Sequence, residues 1–157
     1  MNDTPIDALA MDNRDDYSSK RYFSVNAIAI GTFFGGPLAG GLMLRRNYFH
    51  YGEKQNGNMA LLISAVFTAF LLSGILLIPE AIILRIPKYG ISISYTVVIY
   101  LLANWLQGER LNRHAAQKGA FYSGWKTTGI VLVAIVSVVA VAACVAFLLG
   151  DMIDASL

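Results

Sequence analysis

Four long apolar segments constrain the fold of this 157-residue chain more than any other feature. Hydrophobic residues make up 56% of it and charged residues 14%, whereas soluble domains carry about 25% charged residues. A helix needs about 20 residues to cross the roughly 30 Å apolar core of a bilayer. The composition therefore predicts an all-α integral membrane protein, a bundle of four transmembrane helices joined by short loops. The predicted spans cover residues 23–44, 59–78, 90–106 and 130–150.

The chain as a whole divides into an N-terminal tail and a membrane domain that contains the four spans. Residues 1–21 are polar and acidic and contain too little apolar surface to fold alone, so we expect a flexible N-terminal tail. Residues 22–157 form the predicted transmembrane domain. The connection 79–89 is too apolar for a plain loop and too short to span. It predicts either a small helix at the interface or a kinked continuation of the second span.

The first span carries the sequence GTFFGGPLAGG, in which small residues recur every four positions. Gly31, Gly35 and Ala39 form one such row, and this spacing lets another helix approach closely. Pro37 removes the backbone hydrogen bond back to Phe33 and predicts a kink. Packing within the bundle or against a second copy is one interpretation, and a hinged helix lining a substrate site is the other. The predicted helix-packing residues are Gly31, Gly35, Gly36, Pro37, Ala39 and Gly40.

The third span carries a polar stripe instead of a small-residue stripe. Ser92, Thr96, Tyr100 and Asn104 recur every four residues along it. Polar side chains in hydrocarbon are costly unless they are satisfied, so we expect this stripe to face protein or water. It predicts either hydrogen bonds between helices or one wall of a polar groove.

Few residues outside the stripes could carry chemistry. No charged residue lies inside a predicted span, which argues against an ion-coupled or proton-coupled pathway. Two histidines and two carboxylates in the connections are weak candidates for a metal or acid–base site, although nothing in their spacing fixes their distances. We therefore expect no catalytic residues, no metal, no cofactor, no enzymatic activity and no nucleic-acid binding. The weak candidates are His50, Glu53, Glu109 and His114.

The orientation follows from the lysines and arginines near the spans, which are enriched on the cytoplasmic side. Four crossings place both termini on one side, together with the connection 79–89. That side carries five of these cations, against seven in the other two connections. We therefore expect the loops 45–58 and 107–129 to be cytoplasmic and both termini to lie outside.

Two stretches, FFGGPLAGGLMLRRNY in the first span and KGAFYSGWKTTGI before the last, resemble small bacterial inner-membrane proteins. The resemblance implies a bacterial inner membrane and no particular activity. The expected function is that of an accessory or scaffold subunit, surrounded by membrane lipid, which packs through its glycine-rich first helix against itself or other membrane-protein subunits. The alternative is a transporter or channel component that uses the kinked first helix and the polar stripe of the third.

Overall fold

The computed structural model describes residues 20–77, 79, 82, 85–87 and 89–154. This part of the chain is helical, which confirms the all-α class, and its four helices are long and apolar enough to cross a membrane by length and composition. The flexible tail predicted for residues 1–21 lies outside the described residues except for Lys20 and Arg21. The helices are α1 (Val25–His50), α2 (Lys54–Leu77), α3 (Gly90–Ala116) and α4 (Gly124–Asp154).

Helix α1 is not one straight rod but two helical arms that fold back on each other. A straight helix of 26 residues would measure about 39 Å from end to end. The backbone N–H of Phe23, just before α1, nevertheless donates to the side-chain oxygen of Asn47, near its end, at 2.8 Å. The first arm (residues 25–35) and the second arm (residues 37–50) therefore run antiparallel, and we call the pair the glycine hairpin. The segment 23–44, which the sequence predicts as one transmembrane span, therefore folds as two antiparallel arms.

The chain reverses at Gly36 for a local conformational reason. Gly36 has φ 73° and ψ −179°, a backbone region that is essentially restricted to glycine. Pro37 then starts the second arm and has no N–H to offer to the carbonyl of Phe33. The hydroxyl of Tyr95 on α3 donates to that carbonyl at 3.4 Å instead. The predicted kink at Pro37 is thus a full reversal, and a neighbouring helix satisfies the carbonyl that the proline leaves free.

Small residues let the two arms approach each other closely. A Cβ added at Gly31 would overlap the end of the Met43 side chain, and one added at Gly35 would stand 2.7 Å from the Cβ of Ala39. A Cβ at Gly40 would overlap Thr32 on the first arm. The small-residue rows of the sequence therefore lie mainly between the two arms of the same hairpin.

The other three helices surround the hairpin, and each packs against it. Gly35 approaches the backbone of Val131 on α4, and Gly40 approaches Ile99 on α3. On the α2 side, a Cβ added at Gly41 would overlap the side chain of Ser64. The hairpin is the most buried element, whereas α2, α3 and α4 expose most of their apolar side chains. The core cluster comprises Phe23, Ile28, Met43, Leu44, Ile99 and Ala103.

The last two helices extend further than the apolar pattern predicts. Helix α3 continues to Ala116 and α4 begins at Gly124, so most of the predicted 107–129 connection is helical. Helix α3 ends where Lys118 adopts φ 56° and Gly119 N–H bonds back to His114 O at 2.9 Å. Polar turns of helix can project beyond the apolar layer, which is why hydropathy alone ended these helices too early.

The connection between α2 and α3 is described only in part. Ile82 N–H bonds to Pro79 O at 2.9 Å, and Arg85 N–H bonds to Ile82 O at 3.0 Å. These successive turns follow the end of α2 at Leu77. The remaining residues of 79–89, on which the choice between an interfacial helix and a kinked span depends, lie outside the described residues.

Candidate functional site

A polar clasp closes the open end of the glycine hairpin. Asn47 accepts from Phe23 N–H at 2.8 Å and donates to Phe23 O at 2.9 Å. Its amide also donates to Gln107 Oε1 at 3.0 Å, and Gln107 in turn donates to Leu44 O at 3.3 Å. Asn47 and Gln107 are both 1% exposed. We call Asn47, Gln107 and the Phe23 backbone the polar clasp, because they tie the start of α1, its end and α3 together.

An aromatic layer lies beside the polar clasp, with Tyr22 at its centre. The Tyr22 ring stacks on Tyr51 with centroids 4.8 Å apart, and meets His114 and His50 edge-on at 4.7 Å and 5.6 Å. Tyr22 also forms an isolated parallel bridge with Phe121, next to α4. Tyr22 and Phe23 are each only 1% exposed. The segment before α1 is therefore held at the end of the bundle where α3 ends and α4 begins.

Sequence reasoning missed the central role of Tyr22, Phe23, Asn47 and Gln107. The aromatic residues flanking the 45–58 and 107–129 loops are visible in the sequence, but a single kinked first span places Tyr22 and Phe23 at the end of that span opposite to these loops. The Gly35-Gly36-Pro37 triplet is the sequence signal that could have predicted this proximity, if it is interpreted as a chain reversal and not as a kink.

The loop between α1 and α2 is fixed to α3 by an ion pair. Glu53 Oε1 accepts from Arg110 Nη1 at 2.5 Å, and Glu53 Oε2 accepts from Asn56 at 2.9 Å. The Asn56 hydrogen bond and then the Arg110 hydrogen bond lower the pKa of the Glu53 carboxyl below its ordinary value. Arg110 also lies over the Tyr51 ring, 5.1 Å from its centroid. Burial raises the pKa of Tyr51, so its hydroxyl stays protonated at neutral pH.

The four weak metal candidates do not converge. His50 and His114 both contact the Tyr22 ring, but Glu53 is bonded to Arg110 and Glu109 to Arg113. His114 Nε2 lies 3.1 Å from the carbonyl oxygen of Ala120, where it helps to close the turn after α3. Among the described residues, no group of three or more histidine, cysteine or carboxylate side chains could hold a metal ion.

The predicted packing residues lie at the close contacts described above. Gly31, Gly35, Pro37, Ala39 and Gly40 are buried, and Gly36 forms the reversal. They contact the opposite arm first and the neighbouring helices second. The small-residue surface is therefore largely occupied within the chain.

The predicted polar stripe of α3 is divided between two environments. Ser92 lies near the tip of the hairpin, 3.2 Å from the Tyr95 hydroxyl, and the Thr96 hydroxyl is buried without a hydrogen-bond partner. Tyr100 and Asn104 instead point outward and are exposed. The buried row of α3 that faces the hairpin consists of Ile99, Ala103, Gln107, Leu111 and His114.

A groove opens between α2 and α3 near the tip of the hairpin. It is lined mainly by apolar side chains, among them Phe67, Leu71, Ile91 and Val98, with the polar residues Ser94 and Tyr95 on its α3 wall. Its lining includes neither the polar clasp nor the aromatic layer. The groove is thus unlike a polar substrate site.

Comparison with protein-family models, curated proteins and solved structures gives no match for this chain.

Proposed function

We propose that the protein is a non-enzymatic accessory subunit of a membrane complex, and that the open side of the glycine hairpin binds a partner. The supporting observation is an uncovered row on the first arm, Asn26, Ile30 and Phe34, which we call the open strip. Ile30 is 57% exposed and Phe34 is 66% exposed, although the hairpin is the most buried element of the fold. The proposal differs from the sequence-based expectation, in which the glycines themselves bind the partner.

The open strip matters because it ends at the chain reversal. Each arm is too short to cross the bilayer alone, since about 11 and 14 helical residues measure about 16 and 21 Å against a core of roughly 30 Å. The reversal at Gly36 therefore lies at membrane depth, where irregular backbone is tolerated only if protein or water surrounds it. Helices α2, α3 and α4 cover the other sides of the hairpin. An apolar transmembrane helix of a partner protein is the occupant that suits the open strip.

The test is to truncate the open strip and to compare it with an equally exposed lipid-facing site. Phe34→Ala should lower the recovery of a partner with the tagged protein in mild detergent by about tenfold or more, because a well-packed aromatic contributes at least about 1.4 kcal/mol. Phe70→Ala on α2 is the matched control, since Phe70 is 71% exposed and belongs to another face. Recovery that falls equally for both variants, or for neither, contradicts the proposal. A Phe34-dependent homodimer would instead identify the partner as a second copy.

The proposed orientation follows from the hairpin and from the distribution of charge. If the hairpin enters and leaves the membrane on one side, three crossings remain, and the N-terminal segment shares a side with the 45–58 and 107–129 regions. Ten of the twelve lysines and arginines then lie on that side, and only Arg85 and Lys88 on the other. This bias far exceeds the seven against five of a four-span topology. We propose that the N-terminus is cytoplasmic, the C-terminus is outside, and the membrane is a bacterial inner membrane.

A transporter or channel component is the second candidate. Two features support it: the chain reversal beside Tyr95, and the buried Thr96 hydroxyl that has no hydrogen-bond partner. Broken helices and unsatisfied polar groups are typical of transport sites. Uptake of a solute into proteoliposomes that falls with Thr96→Val, but not with Asn104→Leu, would favour this candidate over the subunit.

A further inference from the structure

Two neighbouring arginines at the end of the hairpin, Arg45 and Arg46, each donate a hydrogen bond from the Nε atom of their guanidinium group. Arg46 Nε donates to the hydroxyl of Tyr122 at 3.2 Å, and Arg45 Nε donates to Asn58 Oδ1 at 3.1 Å. The Arg46 guanidinium also lies 5.6 Å from the centroid of the Tyr122 ring. The Arg45 guanidinium lies 4.7 Å from the centroid of the Phe49 ring. The hydrogen bond and the contact with the aromatic ring together orient each guanidinium before any ligand binds.

The remaining guanidinium nitrogens of Arg45 and Arg46 have no carboxylate partner in the part of the chain that the structure describes, so they can bind an anion. Neither Arg45 nor Arg46 forms a salt bridge with a described residue, because the described carboxylates at this end are engaged by Arg110 and Arg113. With Nε occupied, each arginine still presents the two Nη groups. These two coplanar Nη groups can donate parallel hydrogen bonds to two oxygens of one phosphate. Lysine, with a single ammonium group, cannot bind phosphate in this way.

The position of this end of the bundle identifies the source of the phosphate. Trp105 on α3 and Trp125 on α4 are 81% and 85% exposed near the polar clasp. Tryptophans in such positions mark the boundary between membrane and water, at the depth of the lipid headgroups. The two arginines are therefore at the level where phospholipid phosphates lie.

We propose that Arg45 and Arg46 bind the phosphates of anionic phospholipids, one on each side of the second arm. The Arg46 site lies between α1 and the start of α4, and the Arg45 site lies between α1 and the start of α2. The proposal is independent of the partner surface, because Arg45 and Arg46 lie on the second arm of the hairpin and the open strip lies on the first.

The test counts lipids that stay bound to the purified full-length protein, by native mass spectrometry during titration with phosphatidylglycerol. The wild-type protein should bind phosphatidylglycerol about tenfold more tightly than phosphatidylcholine. Arg46→Gln or Arg45→Gln should each weaken one of the two phosphatidylglycerol sites about tenfold and leave the other unchanged. Arg113→Gln is the matched control, because it removes the same charge at the same end from an arginine already paired with Glu109. Equal weakening by Arg46→Gln and Arg113→Gln would mean general electrostatic attraction and would overturn the proposal.

Two further arms test the geometry and the source. Arg46→Lys keeps the charge but loses the planar pair of Nη groups, so its binding should resemble that of Arg46→Gln, and wild-type binding by Arg46→Lys overturns the proposal. Millimolar inorganic phosphate should not displace the bound lipid, because the acyl chains contribute to binding. Displacement by inorganic phosphate would assign the sites to a soluble anion and contradict a lipid site.

Discussion

At the scale of single residues, the backbone of Gly36 decides the path of the chain. Gly36→Ala should destabilise the fold by about 1–3 kcal/mol, because an L side chain does not fit this conformation. Gly129→Ala in α4 is the control, since an added Cβ there has no atom within 4 Å and alanine favours a helix. The free energy of unfolding in mixed detergent micelles measures both. Equal stability of the two variants would mean that the chain does not reverse at Gly36.

Asn47 has the same importance for the closed end of the hairpin. Asn47→Leu conserves volume but leaves Phe23 and Gln107 with buried polar groups unpaired, which should cost about 2 kcal/mol or more. Amide hydrogen exchange at Phe23 should accelerate as well, because its N–H loses the acceptor. Asn104→Leu changes the same side chain at an exposed position of α3 and should cost less than about 0.5 kcal/mol. If the Phe23 amide hydrogen still exchanged slowly in Asn47→Leu, the proposed role of Asn47 in the polar clasp would be contradicted.

At the scale of elements, the Glu53–Arg110 pair should give the α1–α2 connection a pH-dependent tie to α3. The pKa of Glu53 is lowered in the folded state, so the stabilisation is complete above its unfolded value of about 4.3 and is lost as the pH falls through the lower folded value. The pair is partly exposed, so its contribution is less than about 1 kcal/mol.

The measurement is the difference in melting temperature between the wild-type protein and Glu53→Gln as a function of pH. This difference should be constant from pH 7 to pH 5 and should shrink as the pH falls through the lowered pKa of Glu53. Glu109→Gln is the control with the same change of charge. It breaks the ion pair with Arg113, which lies within α3 and connects α3 to no other element. Faster exchange of the 51–53 amides should therefore follow Glu53→Gln alone. A difference that does not shrink as the solution is acidified would contradict the proposed ion pair between the connection and α3.

The elements themselves differ in how well the sequence predicts them. Helices α2, α3 and α4 follow from apolar length, because a run of that length has few alternatives in a bilayer. The hairpin does not follow, since an apolar segment has the same composition whether it crosses or turns back. The GGP triplet permits a reversal at Gly36, but the Tyr95 bond to Phe33 that supports it comes from a tertiary neighbour that no local pattern reveals. Likewise, Asn104 and Gln107 are both polar residues of α3, yet only the direction of the hairpin decides which one is buried.

At the scale of the whole molecule, the proposed three-crossing topology places the two termini on opposite sides of the membrane. A reporter that is active only in the cytoplasm should be active at the N-terminus and inactive at the C-terminus. Fusion after Ala116 should give the same result as fusion at the N-terminus, because the aromatic layer brings both regions to one end. Identical results at the two termini would restore a four-span topology and contradict the hairpin.

The burial of the hairpin also determines when this protein can finish folding during synthesis. The glycine hairpin leaves the ribosome before the three helices that surround it, and its contacts come from later in the chain: Ile99 meets Gly40, and Val131 meets Gly35. At about 5–20 residues per second, the helix that contains Val131 follows Gly35 by roughly 5–20 seconds. During that interval the hairpin segment lacks the neighbours that pack against it in the folded protein. The helix that is made before α2, α3 and α4 is therefore the last of the four to reach its native surroundings.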